Sequence, residues 1–265
     1  MTERARAPAR RLALPSAILA DPMPAVRALL GAALILAAWE GAARGFELPR
    51  YILPPPTDVA TYILRNYARL VSSGTYTLIE SLVGFGIGAL IGIACAVTVT
   101  MAPATRGIVL PTVMAINSVP VIAWSPLVLL WFGIGMASKI VMVAVAVSFT
   151  VFLSTVAGLD RVDPRQVALM RSFGASTFGV FWRLRVPTAL PLTMAGLRIS
   201  TVRAIIVAVV TEMLGAHGGL GWTIYQSTLT MDFISVWAAI FAASVISLAF
   251  FGIVSAIERK VVFWT

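Results

Sequence analysis

Charge is scarce in this 265-residue chain. Only 12% of its residues are Asp, Glu, Lys or Arg, about half the roughly 25% of a soluble domain. Hydrophobic residues make up 59% and mean hydropathy is +0.94. This excludes a disordered chain, which needs low hydrophobicity and high net charge. It also excludes a water-soluble globule, whose surface such a composition could not cover. There is one cysteine, Cys95. That excludes an intrachain disulfide and any multi-cysteine metal centre. Cys95 lies in an apolar run and reads as a small packing residue. There is one histidine, His217, in a Gly-rich segment, where it reads as a solvated loop residue. Neither Lys139 nor Lys260 sits in a GxxxxGK[ST] phosphate loop, so the chain has no such route to ATP. No HExxH, no Ser/His/Asp set and no paired-carboxylate cluster can be picked out, so no catalytic residue and no metal ligand is assigned.

What is present is a succession of uncharged runs, the signature of an integral membrane protein. Residues 81–105, 107–138, 140–159 and 233–257 are free of charge. A fifth span, Thr188–Leu214, contains Arg198, Arg203 and Glu212, and a sixth, Ala25–Ala43, carries Arg27 and Glu40. The expected fold is therefore all-α and polytopic, with six transmembrane helices. Its segments are a basic tail (1–24), a first helix with an outer amphipathic segment (25–72), a membrane domain (73–257) and a C-terminal tail (258–265).

The net charge of +9 is carried by arginines placed between the runs, which argues against nucleic acid and for loop topology. Leu12–Ala20 is short and broken by Pro15, so a basic tail before an uncleaved helix is expected rather than a signal peptide. With the N-terminus inside, thirteen positive residues fall on the inner side and five outside, Lys139 among the latter. The positive-inside rule then puts both termini in the cytoplasm. Phe46–Gly74 and Ala216–Asp232 become outer segments, with an amphipathic surface helix over Asp58–Leu70.

The third inner loop, Asp160–Val186, is the most informative polar stretch. Asp163-Pro164 is a helix start, Gly174 a helix end, and a second short helix is expected over Ser176–Arg183, before Pro187. Val167, Met170, Phe173, Phe178, Phe181 and Trp182 give the pair apolar faces among five arginines. This is either a hairpin lying on the membrane surface or a docking element for a cytoplasmic partner.

The stretch from Gly174 to Pro187 resembles the cytoplasmic loop of bacterial ABC-importer permeases. Their pattern is E-A-A, three residues, Gly, nine residues, then I-x-L-P. Here Ala168, Leu169 and Met170 replace the E-A-A element. Gly174, Ala175–Arg183 and Leu184-Arg185-Val186-Pro187 keep the rest. Three further segments resemble the same family in order: Ser118-Val119-Pro120 through Pro126 to Gly135, Leu190-Pro191 with Gly196-Leu197-Arg198, and Thr211-Glu212-Met213-Leu214 with Gly219-Leu220-Gly221. The resemblance covers about residue 50 to the C-terminus. It is closest to the nitrate/sulfonate/taurine-type subfamily, with a type I ABC-importer permease fold.

The resemblance implies a non-catalytic subunit of the bacterial inner membrane, paired with a second permease chain as a homodimer. It also implies two ABC ATPase subunits carrying ATP and Mg, and an extracytoplasmic solute-binding protein. The implied coupling loop comprises Asp163, Ala168, Leu169, Met170, Phe173, Gly174, Ala175 and Pro187. The implied solute is a small anion of the nitrate, sulfonate or taurine kind, or an organic cofactor precursor. The competing reading is a self-sufficient secondary carrier, commonly built from internal repeats; none is visible.

Two intramembrane features bear on the path. Pro111, Pro120 and Pro126 interrupt the third span and free carbonyls there, beside Asn117, Ser118, Trp124 and Ser125. That segment is either a kinked packing helix or a wall of the translocation path. Arg203 falls about 18 Å into the fifth span, near the midplane of a roughly 30 Å hydrocarbon core. It could donate to the broken helix, face a partner subunit or attract an anion. Glu212, nine residues on, projects from the opposite face near the outer edge. Ser118, Pro120, Trp124, Pro126, Arg203 and Glu212 are the candidate path residues. Gly84, Gly86, Gly88 and Gly92 suit close helix packing.

Overall fold

The computed structural model describes residues 23–264. Most of the basic tail, with Arg4, Arg6, Arg10 and Arg11, lies outside the described residues. Every regular element is helical, and no strand occurs among the described residues.

The chain divides into two compact units, residues 1–58 and 59–265. In the first, α1 spans Met23–Gly45. Near its end the Glu40 carboxylate takes Arg44 Nε at 2.5 Å, the Thr57 amide at 3.1 Å and the Thr57 hydroxyl at 2.8 Å. This fixes the Pro-rich segment after α1 against its last turns. Arg50 and Asp58 add an ion pair at 3.4 Å.

A short helix, α2 (Pro56–Arg65), leads to Asn66, and α3 begins directly at Tyr67 and runs to Met101. The expected surface helix is thus cut short, and the span opens fourteen residues before Ser81. The physical reason is that the polar residues there are enclosed by the protein. Thr77 and Glu80 are buried, and the Thr77 hydroxyl accepts from the Leu220 amide at 2.9 Å.

The next span is broken. Helix α4 (Pro103–Asn117) is followed by a 3-10 turn, Val121–Trp124, and α5 (Ser125–Phe132), with a bend of 86° between the halves. Pro111 lies inside α4 without ending it, and Pro126 sits in the first turn of α5, where its missing N–H is harmless. The break belongs to Ser118–Pro120 alone.

Helix α6 covers Met136–Leu159. It packs along α3 through Gly84, Gly88 and Gly92. A Cβ on Gly84 would stand 2.6 Å from Val143 Cβ, and one on Gly92 would stand 2.6 Å from the Ser148 carbonyl. On Gly88 it would strike the Ala144 carbonyl. Gly86 is not part of this seam, since a side chain there meets nothing within 4 Å. Glycines at i, i+4 and i+8 share one helix face, whereas i+2 does not.

Beyond α6 come α7 (Pro164–Ser172), α8 (Thr177–Val180), a π-helical turn (Phe181–Arg185) and α9 (Val186–Leu214). The expected stop before Pro187 does not occur. The chain stays helical from Thr177 to Leu214, with Pro187 in the first turn of α9 and the π turn absorbing the change of register. Last come α10 (Leu220–Leu229) and α11 (Phe233–Val261). The expected outer loop Ala216–Asp232 therefore holds a packed helix, with Leu220, Thr223, Ile224 and Ser227 buried. Ser227 donates to Ser235 at 2.9 Å, which pins α10 to α11.

Among the described residues four helical runs are long and apolar enough to cross a membrane, namely α3, α6, Thr177–Leu214 and α11. Counting the bent α4–α5 pair as one span makes five. Helix α1, expected as the sixth, is 23 residues long and stands outside that set. Leu90, Val245, Leu248 and Ile253 are widely exposed on the spanning helices, as a lipid-facing surface requires. Cys95 is exposed as well, not packed as expected.

Candidate functional site

The inner-loop helices are fixed at every turn. The Asp163 carboxylate accepts from the Arg165 amide at 2.8 Å, an N-cap followed by Pro164 at the first helical position. Gly174 has φ +80°, a left-handed conformation that glycine adopts without strain. Its amide donates to the Arg171 carbonyl at 2.9 Å, and the Ala175 amide donates to Met170 at 3.0 Å. These two bonds form a Schellman ending. Two residues later the Ser176 hydroxyl accepts from the Gly179 amide at 3.1 Å and starts α8.

The aromatic residues divide by face. Phe181 and Val180 are buried, and Phe181 packs in a cluster with Val99, Phe152, Val156 and Ala189. Phe173 is 83% exposed, Phe178 64%, Leu169 58% and Trp182 53%. Trp182 stacks edge-on against Phe178 at 6.0 Å and Phe181 at 5.7 Å. Ala168 is exposed and Met170 half-buried. The pair of short helices thus presents an exposed apolar and aromatic face. The Arg106 guanidinium grips both oxygens of Asp160 (2.8 and 2.5 Å), tying the start of α4 to the end of α6, and holds that carboxyl below the usual carboxylate range.

At the bend, the Ser118 hydroxyl donates to the Ala115 carbonyl at 2.6 Å. Val121 and Trp124 lean on the main core of α3, α6 and α9. Asn117 Oδ1 and Ser125 Oγ are buried without a hydrogen-bond partner among the described residues. Arg203 is half-buried and donates from Nη1 to Thr150 Oγ1 on α6 at 3.0 Å. No carboxylate lies within ion-pair distance of it among the described residues, and the structure joins it to α6 rather than to the Pro120–Pro126 segment. Arg198, one helical turn before, pairs with Glu258 at 2.9 Å and lies over the Phe251 ring.

Glu212 does not line an open path. It is fully enclosed and accepts the Gly221 amide at 2.6 Å. The carboxyl of Glu80 and the hydroxyl of Thr77 lie against it. Lys139 is fully buried too, and its ammonium donates to the carbonyls of Ile134 (2.6 Å), Gly135 (3.2 Å) and Gly215. Sequence reasoning missed this constellation. It counted Lys139 as an outer-loop charge and found no paired carboxylates, because 132 residues separate Glu80 from Glu212. The recoverable signal was that Glu80, Lys139 and Glu212 each stand near the same end of an apolar run. His217 is exposed as expected, at the rim of a small cavity that also includes Tyr76 and Glu80.

A polytopic helical bundle with one broken span and a capped aromatic helix pair at one membrane end defines a membrane transport subunit. Residues 88–263 match the family of binding-protein-dependent transport system inner membrane components, and the chain belongs to that family. It is an ABC transporter permease with a multi-pass helical membrane fold.

Among its relatives is a probable ABC transporter permease protein of Haemophilus influenzae. It is 31% identical over 85% of this chain and 92% of its own length. The formylaminopyrimidine transport permease protein ThiX of Halalkalibacterium halodurans is 29% identical over 87% and 92%. The taurine transport system permease protein TauC of Escherichia coli is 28% identical over 88% and 87%. In fold the chain is similar to a crystal structure of an amino acid ABC transporter with histidines. That similarity has a TM-score of 0.62 at 20% identity, over 76% of this chain and 97% of the other.

Proposed function

We propose that two copies of this chain enclose a path for a small anionic solute, or an organic cofactor precursor, and that separate ABC ATPase subunits drive passage by hydrolysing Mg-ATP. An extracytoplasmic binding protein delivers the solute. Both termini and the α7–α8 pair face the cytoplasm, where the ATPase docks on Leu169, Phe173, Phe178 and Trp182. Asp163, Gly174 and Ala175 hold the two helices at a fixed angle. Ala168, Leu169 and Met170 supply apolar contact in place of an acidic residue, and Pro187 opens the helix that carries motion into the bilayer. Ser118, Pro120, Trp124 and Pro126 shape the path at the bend, with Arg203 as its fixed positive charge.

The observation that carries this reading is the capped helix pair, whose aromatic face is exposed at the membrane end of two spanning helices. Relatives named for taurine and formylaminopyrimidine support the solute class. The burial of Lys139 removes a cation from the outer loops and so supports the orientation. Purification of the tagged chain from its own membranes tests the reading. We expect an ATPase subunit to co-purify, and to be lost in Phe173→Ser/Phe178→Ser. Solute uptake by the chain reconstituted alone, driven by an ion gradient and indifferent to ATP, would overturn it in favour of a secondary carrier.

A further inference from the structure

Where α3 ends and α4 begins, a cavity of about 240 Å³ opens between these helices and the α7–α8 pair. Arg171 of α7 and Arg185 of the π turn both line it, with Thr177 of α8 beside them. Two arginines from separate elements line one recess, Arg171 exposed and Arg185 half-buried, and little balances them. The charge of Asp160 reaches Arg185, but both its oxygens are already taken by Arg106. Arg171 pairs with no carboxylate within 4 Å among the described residues. The Thr100 hydroxyl is turned to its own helix, donating to the Ala96 carbonyl at 2.8 Å. The polar lining therefore consists chiefly of donors, and positive ones.

Such a lining fits an anion that offers several acceptor oxygens at once. Guanidinium forks match phosphate oxygens in pairs, an arrangement an ammonium cannot copy. The remaining wall is apolar, formed by Met101, Pro103, Val167, Val180 and Phe181. Helix α3 has 35 residues and is roughly 52 Å long, longer than the whole 40–45 Å bilayer. It therefore extends beyond the hydrocarbon core, and its last turn, with Thr100 and Met101, forms one wall of the cavity.

We propose that this cavity is a binding site for a phosphate-bearing anion, supplied by an anionic phospholipid headgroup or by free phosphate in the adjoining water. Basic recesses between membrane helices suit such headgroups by charge and by depth. None of its lining residues is among those assigned to the solute path or to the docking face. Assigning it to the cytoplasmic leaflet rests on the orientation proposed above, but the site itself does not.

The test is native mass spectrometry of the purified, delipidated transporter titrated with phosphatidylglycerol or with phosphatidylcholine. We expect phosphatidylglycerol to be retained preferentially, and its retention to fall about tenfold in Arg171→Gln/Arg185→Gln, as loss of two charge-assisted contacts implies. The control pair Arg161→Gln/Arg183→Gln removes the same charge from exposed positions outside the cavity and should retain the lipid. Displacement of phosphatidylglycerol by millimolar inorganic phosphate in the wild type, but not in the control with chloride, would support the site with free phosphate as its source. Equal losses in the two double variants would overturn the proposal. Should Arg171→Gln/Arg185→Gln fail to assemble, the wild type decides: equal retention of the two lipids, with no effect of phosphate, overturns it as well.

Discussion

The Gly221 amide donates to a Glu212 carboxylate oxygen at 2.6 Å, joining the first turn of α10 to the last turn of α9. The approach is so close that a Cβ on Gly221 would strike the Val209 carbonyl. Nothing in that wall is a flexible side-chain tip that could move aside. Gly221→Ala should therefore destabilise the bundle by roughly 1–3 kcal/mol, the usual range for overpacking. Thermal unfolding of the purified protein in detergent measures this, and an unchanged midpoint would refute the close packing.

Lys139 closes the same region from the other side, with one ammonium spanning two carbonyls of the α5–α6 turn and that of Gly215 at the end of α9. Lys139→Met keeps the stem but leaves those carbonyls without their donor, at a cost of about 2–4 kcal/mol. Lys139→Arg should not restore stability, because a planar fork cannot converge on three oxygens arranged around a point charge. Equal melting temperatures for Lys139→Arg and the wild type would contradict this.

The Arg106–Asp160 pair makes stability depend on pH. Arg106 holds the Asp160 carboxyl below its ordinary value in the folded protein. Its contribution is therefore present above the unfolded value, near pH 4, and fades as pH falls through the folded one. Both side chains are about two-fifths exposed, so the contribution is small, under about 1 kcal/mol. Asp160→Asn should melt slightly lower than wild type at pH 7, and the gap should close towards pH 3. A gap that widened with acid would reverse the sign and dismiss the pair as its cause.

Gly174→Val tests the loop. A β-branched residue at φ +80° is a strained conformation, at about 1–3 kcal/mol, and the Schellman ending would give way first. Membrane insertion should be normal while ATPase co-purification and uptake fall by about tenfold, which 1.4 kcal/mol suffices to produce. Retention of full uptake would separate the turn from coupling.

Much of this architecture was legible because it depends on local chemistry. Asp163-Pro164 and Gly174 announce a helix start and stop whatever surrounds them, and both stand where expected. Uncharged runs locate spanning helices to within a turn where no polar residue intrudes. The reading failed where burial was settled by tertiary partners. Thr77 and Glu80 pushed the expected start of α3 too late, since only the distant Leu220 and Glu212 explain their place in the core. Pro111 and Pro187 were read as breaks, yet neighbouring packing and a π turn absorb both. Gly86 looked like its neighbours in sequence but lies on the other face.

Arg203 gives the sharpest test of the proposed path. Its guanidinium has five donors, and the contact found for it is one bond to Thr150 at 3.0 Å. The expected depth near the membrane midplane, with no carboxylate within ion-pair distance among the described residues, would leave a positive charge whose field acts on whatever passes. At about 4 Å a monovalent anion would be attracted by roughly 4 kcal/mol at an effective dielectric of 20, before desolvation. That is enough to lower a permeation barrier and too little to trap the solute. Arg203→Gln can still donate to Thr150 but carries no charge. Anion uptake should fall several-fold while dimer yield, melting temperature and basal ATP hydrolysis persist. Thr150→Val separates the alternatives from the other side. If Arg203 is only a packing donor, Thr150→Val should reproduce the effect of Arg203→Gln; if Arg203 acts by charge, Thr150→Val should leave uptake nearly intact. A fully assembled Arg203→Gln with undiminished uptake would remove Arg203 from the path.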